Sequence, residues 1–244
     1  MQARRLPARH GALWLMGGIG LFRANPPMLT MVAMAYLLVI FLSLLHAAAS
    51  FLLPVVMPTL TLLVANSCRA IEKGGRPMDS FTDGLREHRD SLLRLGGLQL
   101  LGSLAILAAA YFLGIGTESI SDGKPDPKLL LGTLLPLLAL GAPLFIAFWF
   151  APLLTGWDGL PPIKSVFFSF VAVLRNWRAF ITYGVAIVVA GIVVPGLLIA
   201  FAGSVSQSFG KVVSTVVWML FIFVLSPALM ASVYLSYRDV FTHE

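Results

Sequence analysis

Charged side chains are scarce in this chain of 244 residues. Asp, Glu, Lys and Arg together make up 11% of it, whereas an ordinary soluble domain has about 25%. Hydrophobic residues make up 58% of the chain, and its mean hydropathy is +0.90. A water-soluble globule of this length needs a polar surface that this composition cannot supply. The scarcity of charge therefore excludes that class and predicts a protein whose outer surface faces lipid.

Cysteine and the usual catalytic or metal-binding patterns are also lacking. The single cysteine, Cys68, excludes an intramolecular disulfide and any multi-cysteine metal site. No cluster of His, Cys and Asp has metal-ligand spacing, and there is no G-x-S-x-G motif or Walker-type loop. The sequence therefore predicts no cofactor, no metal and no enzymatic activity.

Six apolar runs are long enough to cross a bilayer, which takes about 20 residues of helix. They cover residues 28–48, 51–68, 95–113, 129–155, 181–203 and 212–237. No Asp, Glu, Lys or Arg lies inside any of them, which counts against a proton-coupled transporter or pump because such proteins carry ionisable groups within the membrane. We predict an all-α polytopic membrane protein in which residues 1–244 form a single integral membrane domain.

Segments rich in Lys and Arg alternate with poor ones when those runs are removed. Fourteen of the 17 fall at the two ends of the chain and in the segments after the second and fourth runs. Basic flanks resist translocation, so the alternation predicts six spans with both termini in the cytoplasm. The net charge of +6 does not indicate nucleic acid, because the charges lie at the ends of apolar runs without interleaved aromatics. They indicate membrane phospholipid as the partner.

Three basic segments on that side contain apolar residues at helical spacing. Residues 77–95 and 163–180 predict interfacial amphipathic helices, whose apolar side lies in the acyl boundary. Residues 1–27 form a cytoplasmic N-terminal segment, in which 12–22 predict a weaker interfacial helix because glycines lower its helix propensity. The fold class predicted is six transmembrane helices with two or three interfacial helices.

The three basic segments are similar to one another. Each has a large apolar residue followed by an arginine, and then leads into a transmembrane run; these are Arg23, Arg86 and Arg175. The second run after each junction carries a proline toward its cytoplasmic half; these are Pro58, Pro152 and Pro227. The pattern predicts a threefold internal repeat of one interfacial helix and two spans. A chance match of two residue types is the alternative.

These arginines and prolines are the candidate site residues. A guanidinium at head-group depth binds a phosphate through two hydrogen bonds, so the three arginines predict contacts with anionic phospholipid. Orientation charges alone are the alternative. Each proline removes a backbone hydrogen bond and bends its helix, so the three prolines predict kinks, which either serve packing or line a binding site.

Four sequence phrases stand out along the chain: WFAP at 149–152, LRNWRAF at 174–180, SPA at 226–228 and YLSYRDVF at 234–241. Together they resemble a family of uncharacterised six-helix inner-membrane proteins of proteobacteria. That family is distantly similar to the membrane domain attached to some glycerophosphodiester phosphodiesterases. The resemblance implies a module of the bacterial inner (plasma) membrane that accompanies lipid or envelope metabolism. It implies no catalytic residue, because the phosphodiesterase catalytic domain is a separate soluble unit.

Two functions of different class fit these observations. The first is a non-enzymatic inner-membrane scaffold or lipid-associated module, whose basic face holds phospholipid and a cytoplasmic protein partner. The alternative is a transporter or channel for a neutral or amphipathic solute that passes between the proline-bent spans. A polar cavity between the second, fourth and sixth spans would favour transport. A tightly packed bundle with basic lateral grooves would favour the scaffold.

Overall fold

The computed structural model describes residues 3–75, 78–115 and 127–241, and for residues 47, 48 and 127–131 it describes the main chain alone. Within these ranges the chain forms α-helices and two π-helical turns, and no strand. The helices are α1 (His10–Ala24), α2 (Pro26–Leu44), α3 (Ala47–Glu72), α4 (Leu85–Phe112), α5 (Pro127–Phe148), α6 (Ala151–Gly156), α7 (Pro162–Arg175), α8 (Trp177–Val188), α9 (Val194–Val205), α10 (Gln207–Leu220) and α11 (Ser226–Phe241).

Six stretches of helix are long and apolar enough to cross a membrane. Numbered as spans 1 to 6, they are Pro26–Leu44, Ala49–Glu72, Leu85–Phe112, Gly132–Gly156, Trp177–Val205 and Gln207–Phe241. Each overlaps one of the six apolar runs of the sequence. The prediction of an all-α polytopic membrane protein is therefore confirmed.

The three similar junctions, at Arg23, Arg86 and Arg175, each contain a break in helical geometry. The backbone leaves the helical region at Asn25 (φ −151°, ψ 76°), at His88 (φ −116°, ψ 21°) and at Asn176 (φ −108°, ψ 21°). Each break follows the junction arginine by one or two residues. The order of a short segment followed by two spans thus occurs three times.

The segment before the second junction differs from the helix expected over residues 77–95. Pro77 lies outside the described residues, residues 78–84 form turns, and the helix begins at Leu85 and continues into span 3. The cause is Gly84, whose φ of 71° is left-handed and which lies so close to the main-chain oxygen of Gly156 that a Cβ would overlap it. A helix cannot pass through such a residue.

The helix expected over residues 163–180 has different limits in the structure. Helix α7 ends at Arg175, because Asn176 breaks it, and the following residues begin α8. Its buried face carries small side chains such as Ser165, Ser169 and Ala172, whereas Ile163 and Phe167 are exposed. The small face packs on α5 and α6, and the exposed apolar side chains face the membrane.

The N-terminal helix is a packed element and not the weak interfacial helix expected within residues 1–27. Helix α1 lies between α8 and α11, and Trp14 is only 1% exposed. Gly11 and Gly18 lie so close to the main-chain oxygens of Ala179 and Ala228 that a Cβ on either glycine would overlap them. The glycines that lower helix propensity therefore permit close packing of three helices.

The buried core lies at the end of the bundle that carries the basic segments. Trp14, Leu62, Leu92, Phe150 and Val240 are all nearly or fully buried there. Toward the opposite end, spans 5 and 6 expose large apolar side chains, and α9 packs mainly on α10. In a bilayer these side chains face hydrocarbon, and most of the large buried side chains among the described residues lie at the other end.

Two π-helical turns interrupt spans 5 and 6 at the same level. They are Val189–Val193 and Phe221–Leu225. The helices that follow them carry Pro195 and Pro227 at their starts. Because proline has no backbone N–H, it disturbs the ladder of helical hydrogen bonds there. A Cβ on Gly191 would touch the Phe221 ring at 3.4 Å, so the two turns are neighbours. The Thr30 hydroxyl donates to the Phe223 carbonyl at 3.3 Å, which satisfies one backbone group within the turn.

Candidate functional site

A cavity of about 560 Å³ lies among all six spans. Apolar side chains form most of its wall, among them Val64, Ile106, Leu144, Ile187 and Leu229. This size is ordinary for a site that holds a small organic molecule, and such sites combine apolar walls with a few polar groups. The wall therefore suits a ligand with substantial apolar surface.

Five polar side chains also reach the cavity wall. They are Tyr36, Thr61, Gln99, Tyr183 and Tyr234. Thr61 donates to the Met57 carbonyl at 2.9 Å, Tyr183 pairs with the Ser232 hydroxyl, and Tyr234 donates to the Glu72 carboxylate. Tyr36 hydrogen-bonds to Thr61. Gln99 differs from these residues, because its side-chain amide makes no hydrogen bond within the described residues.

Tyr234 links the cavity to an ionic cluster at the basic end of the bundle. Its partner Glu72 also pairs with Arg238, whose guanidinium bonds Asp239 at 2.8 Å. Asp239 accepts a hydrogen bond from the Trp14 indole N–H at 3.0 Å. The cluster thus joins α1, α3 and α11, and each carboxylate in it has a cationic partner.

Asn66 fastens the turn between spans 2 and 3 to the bundle. This amide is 1% exposed, and its NH₂ group donates to the carbonyls of Phe81 and Asp83, both at 2.9 Å. Its oxygen accepts from the Trp157 indole N–H at 2.7 Å. The Arg69 guanidinium lies 5.1 Å from the Trp157 ring centroid, a cation–π distance.

Asn176 has the corresponding role for the N-terminal arm. It is 1% exposed, accepts from the Leu6 N–H at 2.8 Å, and donates to the Arg4 carbonyl at 2.9 Å. The Arg4 N–H in turn donates to the Val240 carbonyl at 3.0 Å. Two buried amides therefore hold two chain segments across the basic end.

The structure places the candidate prolines differently from one another. Pro58 lies inside the continuous helix α3, and Pro152 follows a break at residues 149–150; both line the cavity. At that break the Ser169 hydroxyl accepts from the Phe150 N–H at 2.9 Å and donates to the Ile146 carbonyl at 3.1 Å. Pro227 lies after the second π-helical turn and is buried outside the cavity wall.

The three candidate arginines are all exposed. Within the described residues no hydrogen bond or ion pair joins the side chains of Arg23, Arg86 or Arg175 to another residue. Each lies next to a helix break at a junction with a span. Their guanidinium groups are thus available, and the phospholipid contact expected for them stays a prediction.

Sequence reasoning missed the uncharged amides Asn66, Gln99 and Asn176. A search for ionisable residues within the apolar runs does not find them, because Asn and Gln carry no charge. Asn66 and Gln99 can be found from the sequence because each places a side-chain amide within an apolar run, where an amide without a hydrogen bond is costly. Asn176 stands just outside a run, and nothing in the sequence shows that it would be buried.

The arrangement has the features of a binding site and shows no metal centre. No group of three His, Cys, Asp or Glu side chains among the described residues is placed to hold a metal ion. The fold and the cavity define a polytopic α-helical membrane protein with a largely apolar chamber between its spans.

Comparison with known proteins shows the family to which this chain belongs. A probable inner membrane protein of Burkholderia thailandensis is 30% identical over 268 aligned positions, which cover 99% of this chain and 94% of the relative. The chain therefore belongs to the same family as that protein, and it is a multi-pass protein of the inner membrane. No protein-family profile matches the chain. No solved structure matches it.

Proposed function

We propose that this protein is a non-enzymatic, lipid-associated module of the inner membrane that holds a lipid in the cavity between its spans. The observation that supports this function is the apolar chamber of about 560 Å³ among the six spans. A lipid that enters this cavity leaves hydrocarbon and not water, so the apolar wall holds it by van der Waals packing along its surface. Lipid is the most abundant molecule with a large apolar surface in a bilayer. The likeness to the membrane domain of glycerophosphodiester phosphodiesterases, with its companion role in lipid metabolism, is part of this proposal.

Gly141→Phe is expected to abolish retention of a tightly bound lipid. Gly141 lines the cavity, and a Cβ there meets no atom within 4 Å, so a larger side chain has an open path from the main chain into the chamber. We would purify the protein in detergent, add bacterial polar lipid extract and count retained lipids by native mass spectrometry. The variant should retain about one lipid fewer than the wild type.

Gly132→Phe is the matched control for that experiment. Gly132 is on the same helix, has no atom within 4 Å of its Cβ position, and does not line the cavity. It is nine residues away, about two and a half helical turns, so its side chain leaves the opposite face of α5. Equal lipid retention by the two phenylalanine variants would contradict a lipid site in the cavity.

A transporter of a neutral or amphipathic solute is the second candidate. The two neighbouring π-helical turns favour it, because π-helical turns recur at functional sites and give spans 5 and 6 a shared point of bending. Movement of a fluorescent neutral lipid from one leaflet to the other in vesicles that contain the protein would support transport. Retention without movement would support the lipid-associated module.

We further propose that Arg23, Arg86 and Arg175 bind anionic phospholipid on the cytoplasmic side, where both termini also lie. The support is their exposure, their position at the ends of spans and the uneven distribution of Lys and Arg. Replacing all three by Lys keeps the charge and removes the two-pronged hydrogen bonding to phosphate. Native mass spectrometry should then show less cardiolipin and phosphatidylglycerol retained than in the wild type.

The same triple variant carries its own control for orientation. A cysteine at Ser206 should react with a membrane-impermeant thiol reagent in intact cells, and a cysteine at Thr82 should not, in both wild-type and triple-Lys backgrounds. Unchanged retention of both phospholipids would mean that the arginines act only as orientation charges. Labelling at Thr82 alone would reverse the proposed topology.

A further inference from the structure

We propose that the Gln99 amide binds the neutral polar group of the lipid in the cavity, and that this lipid is an uncharged one with an ester carbonyl or a hydroxyl, as in a diacylglycerol. The inference rests on the proposed function, because it names the chemical class of ligand for the same cavity. It depends on Gln99, on the partners of the other polar groups in the wall, and on the absence of charged residues from the described wall.

Gln99 is the polar side chain of the described wall that has no partner. The other hydroxyls and the Trp149 indole N–H each bond to protein, the latter to the Ser236 hydroxyl at 3.2 Å. Near Gln99, the Ser103 hydroxyl donates to the main-chain carbonyl of Gln99 at 2.9 Å and leaves its side chain unbonded. An amide has two donor hydrogens and an oxygen with two acceptor sites. All of them are available to a ligand.

An unpaired amide is costly at this position. Gln99 is the fifth residue of the apolar run 95–113, and it faces a largely apolar chamber. Transfer of an amide from water to an apolar medium without a hydrogen bond costs several kcal/mol on alkane scales. A ligand group that both accepts from and donates to the amide removes this cost when it binds.

The composition of the wall indicates a neutral ligand. No Asp, Glu, Lys or Arg is among the described residues that line the cavity. A charged head group drawn into this apolar chamber without a counter-charge would carry a large desolvation penalty. An ester carbonyl accepts from the amide N–H groups and a hydroxyl donates to the amide oxygen. A diacylglycerol offers both, together with acyl chains that fill the apolar wall.

The test compares Gln99→Leu with the wild type. Dioleoylglycerol is the probe, squalane is a hydrocarbon probe without polar atoms, and binding to purified protein is measured by native mass spectrometry. Loss of one buried hydrogen bond should weaken dioleoylglycerol binding about five- to tenfold and leave squalane binding unchanged. Without added lipid, thermal unfolding of Gln99→Leu should occur at the wild-type temperature or above it, because the variant loses an unpaired polar group.

Ser103→Ala is the control, since that hydroxyl bonds within its own helix and does not line the cavity. It should bind both probes as the wild type does.

Equal dioleoylglycerol binding by Gln99→Leu and the wild type would overturn the role of Gln99. An equal loss of dioleoylglycerol and squalane binding in Gln99→Leu would overturn it too. Displacement of dioleoylglycerol by phosphatidylglycerol at the same concentration would overturn the neutral class. In each case the effect of Gly141→Phe shows separately whether the cavity holds lipid at all.

Discussion

Replacing Gly18 by Ala is expected to lower the free energy of unfolding, and the same replacement at Gly20 is expected to raise it. A Cβ on Gly18 would overlap the main-chain oxygen of Ala228, and a backbone atom of a packed helix has little freedom to move away. Overpacking of this kind costs about 1–3 kcal/mol. Gly20 is exposed and has nothing within 4 Å of its Cβ position, so Ala there adds about 0.8–1.0 kcal/mol through helix propensity.

Thermal unfolding in one detergent at one scan rate measures both variants. The pair is matched in helix, in substitution and in the region of the protein, so opposite shifts of Tm isolate the contact between α1 and α11. Shifts of the same sign and size would mean that α1 is not packed against Ala228. The result also decides between a packed α1 and a helix that lies free at the membrane interface.

Asn66→Leu is expected to have the second large effect. The substitution leaves the Phe81 and Asp83 carbonyls and the Trp157 indole N–H without their partner. Each unpaired buried group costs about 1–3 kcal/mol, so we expect a loss of about 3 kcal/mol or more. The turn at residues 78–84 should separate from the bundle, and trypsin should then cleave after Arg86 faster than in the wild type.

Ser67→Ala is the matched control for Asn66→Leu. Ser67 is the next residue and is fully buried, but its hydroxyl donates only to the Leu63 carbonyl of its own helix, at 3.1 Å. Its removal leaves no group of another segment unpaired. A Tm and a cleavage rate close to those of the wild type are expected. Equal destabilisation by both variants would indicate a general response of span 2, not a specific clamp.

The six spans could be predicted because hydropathy over about 20 residues is a local property of the sequence. The packing of α7 against the other helices could not be predicted. Its apolar side chains indicated which side lies in the membrane, but its packing depends on Ser165 and Ser169, which satisfy groups in another part of the chain. Ser169 bonds the Phe150 N–H and the Ile146 carbonyl at the break between α5 and α6. Such a break exposes donors and acceptors whose position is set by tertiary packing.

The polar groups of the cavity wall could not be predicted for the same reason. The sequence drew attention to charges and prolines, and two of those prolines, Pro58 and Pro152, do line the cavity. The polar character of the wall comes instead from three tyrosines, one threonine and one glutamine, whose significance depends on whether each has a partner. Tyr183 and Tyr234 are satisfied by Ser232 and Glu72 from distant or opposing helices. A hydrogen-bond inventory of this kind exists only once the spans are assembled.

The packing of α1 has a consequence for the order in which the protein matures. Helix α1 is synthesised before α8 and α11, yet it packs on both, and its Trp14 bonds an aspartate 225 residues later in the chain. Contacts of such long sequence separation form late. Helix α1 therefore gains its complete docking surface only after α11 has been synthesised. An early segment reaches its place late, and its docking follows the assembly of the spans on which it packs.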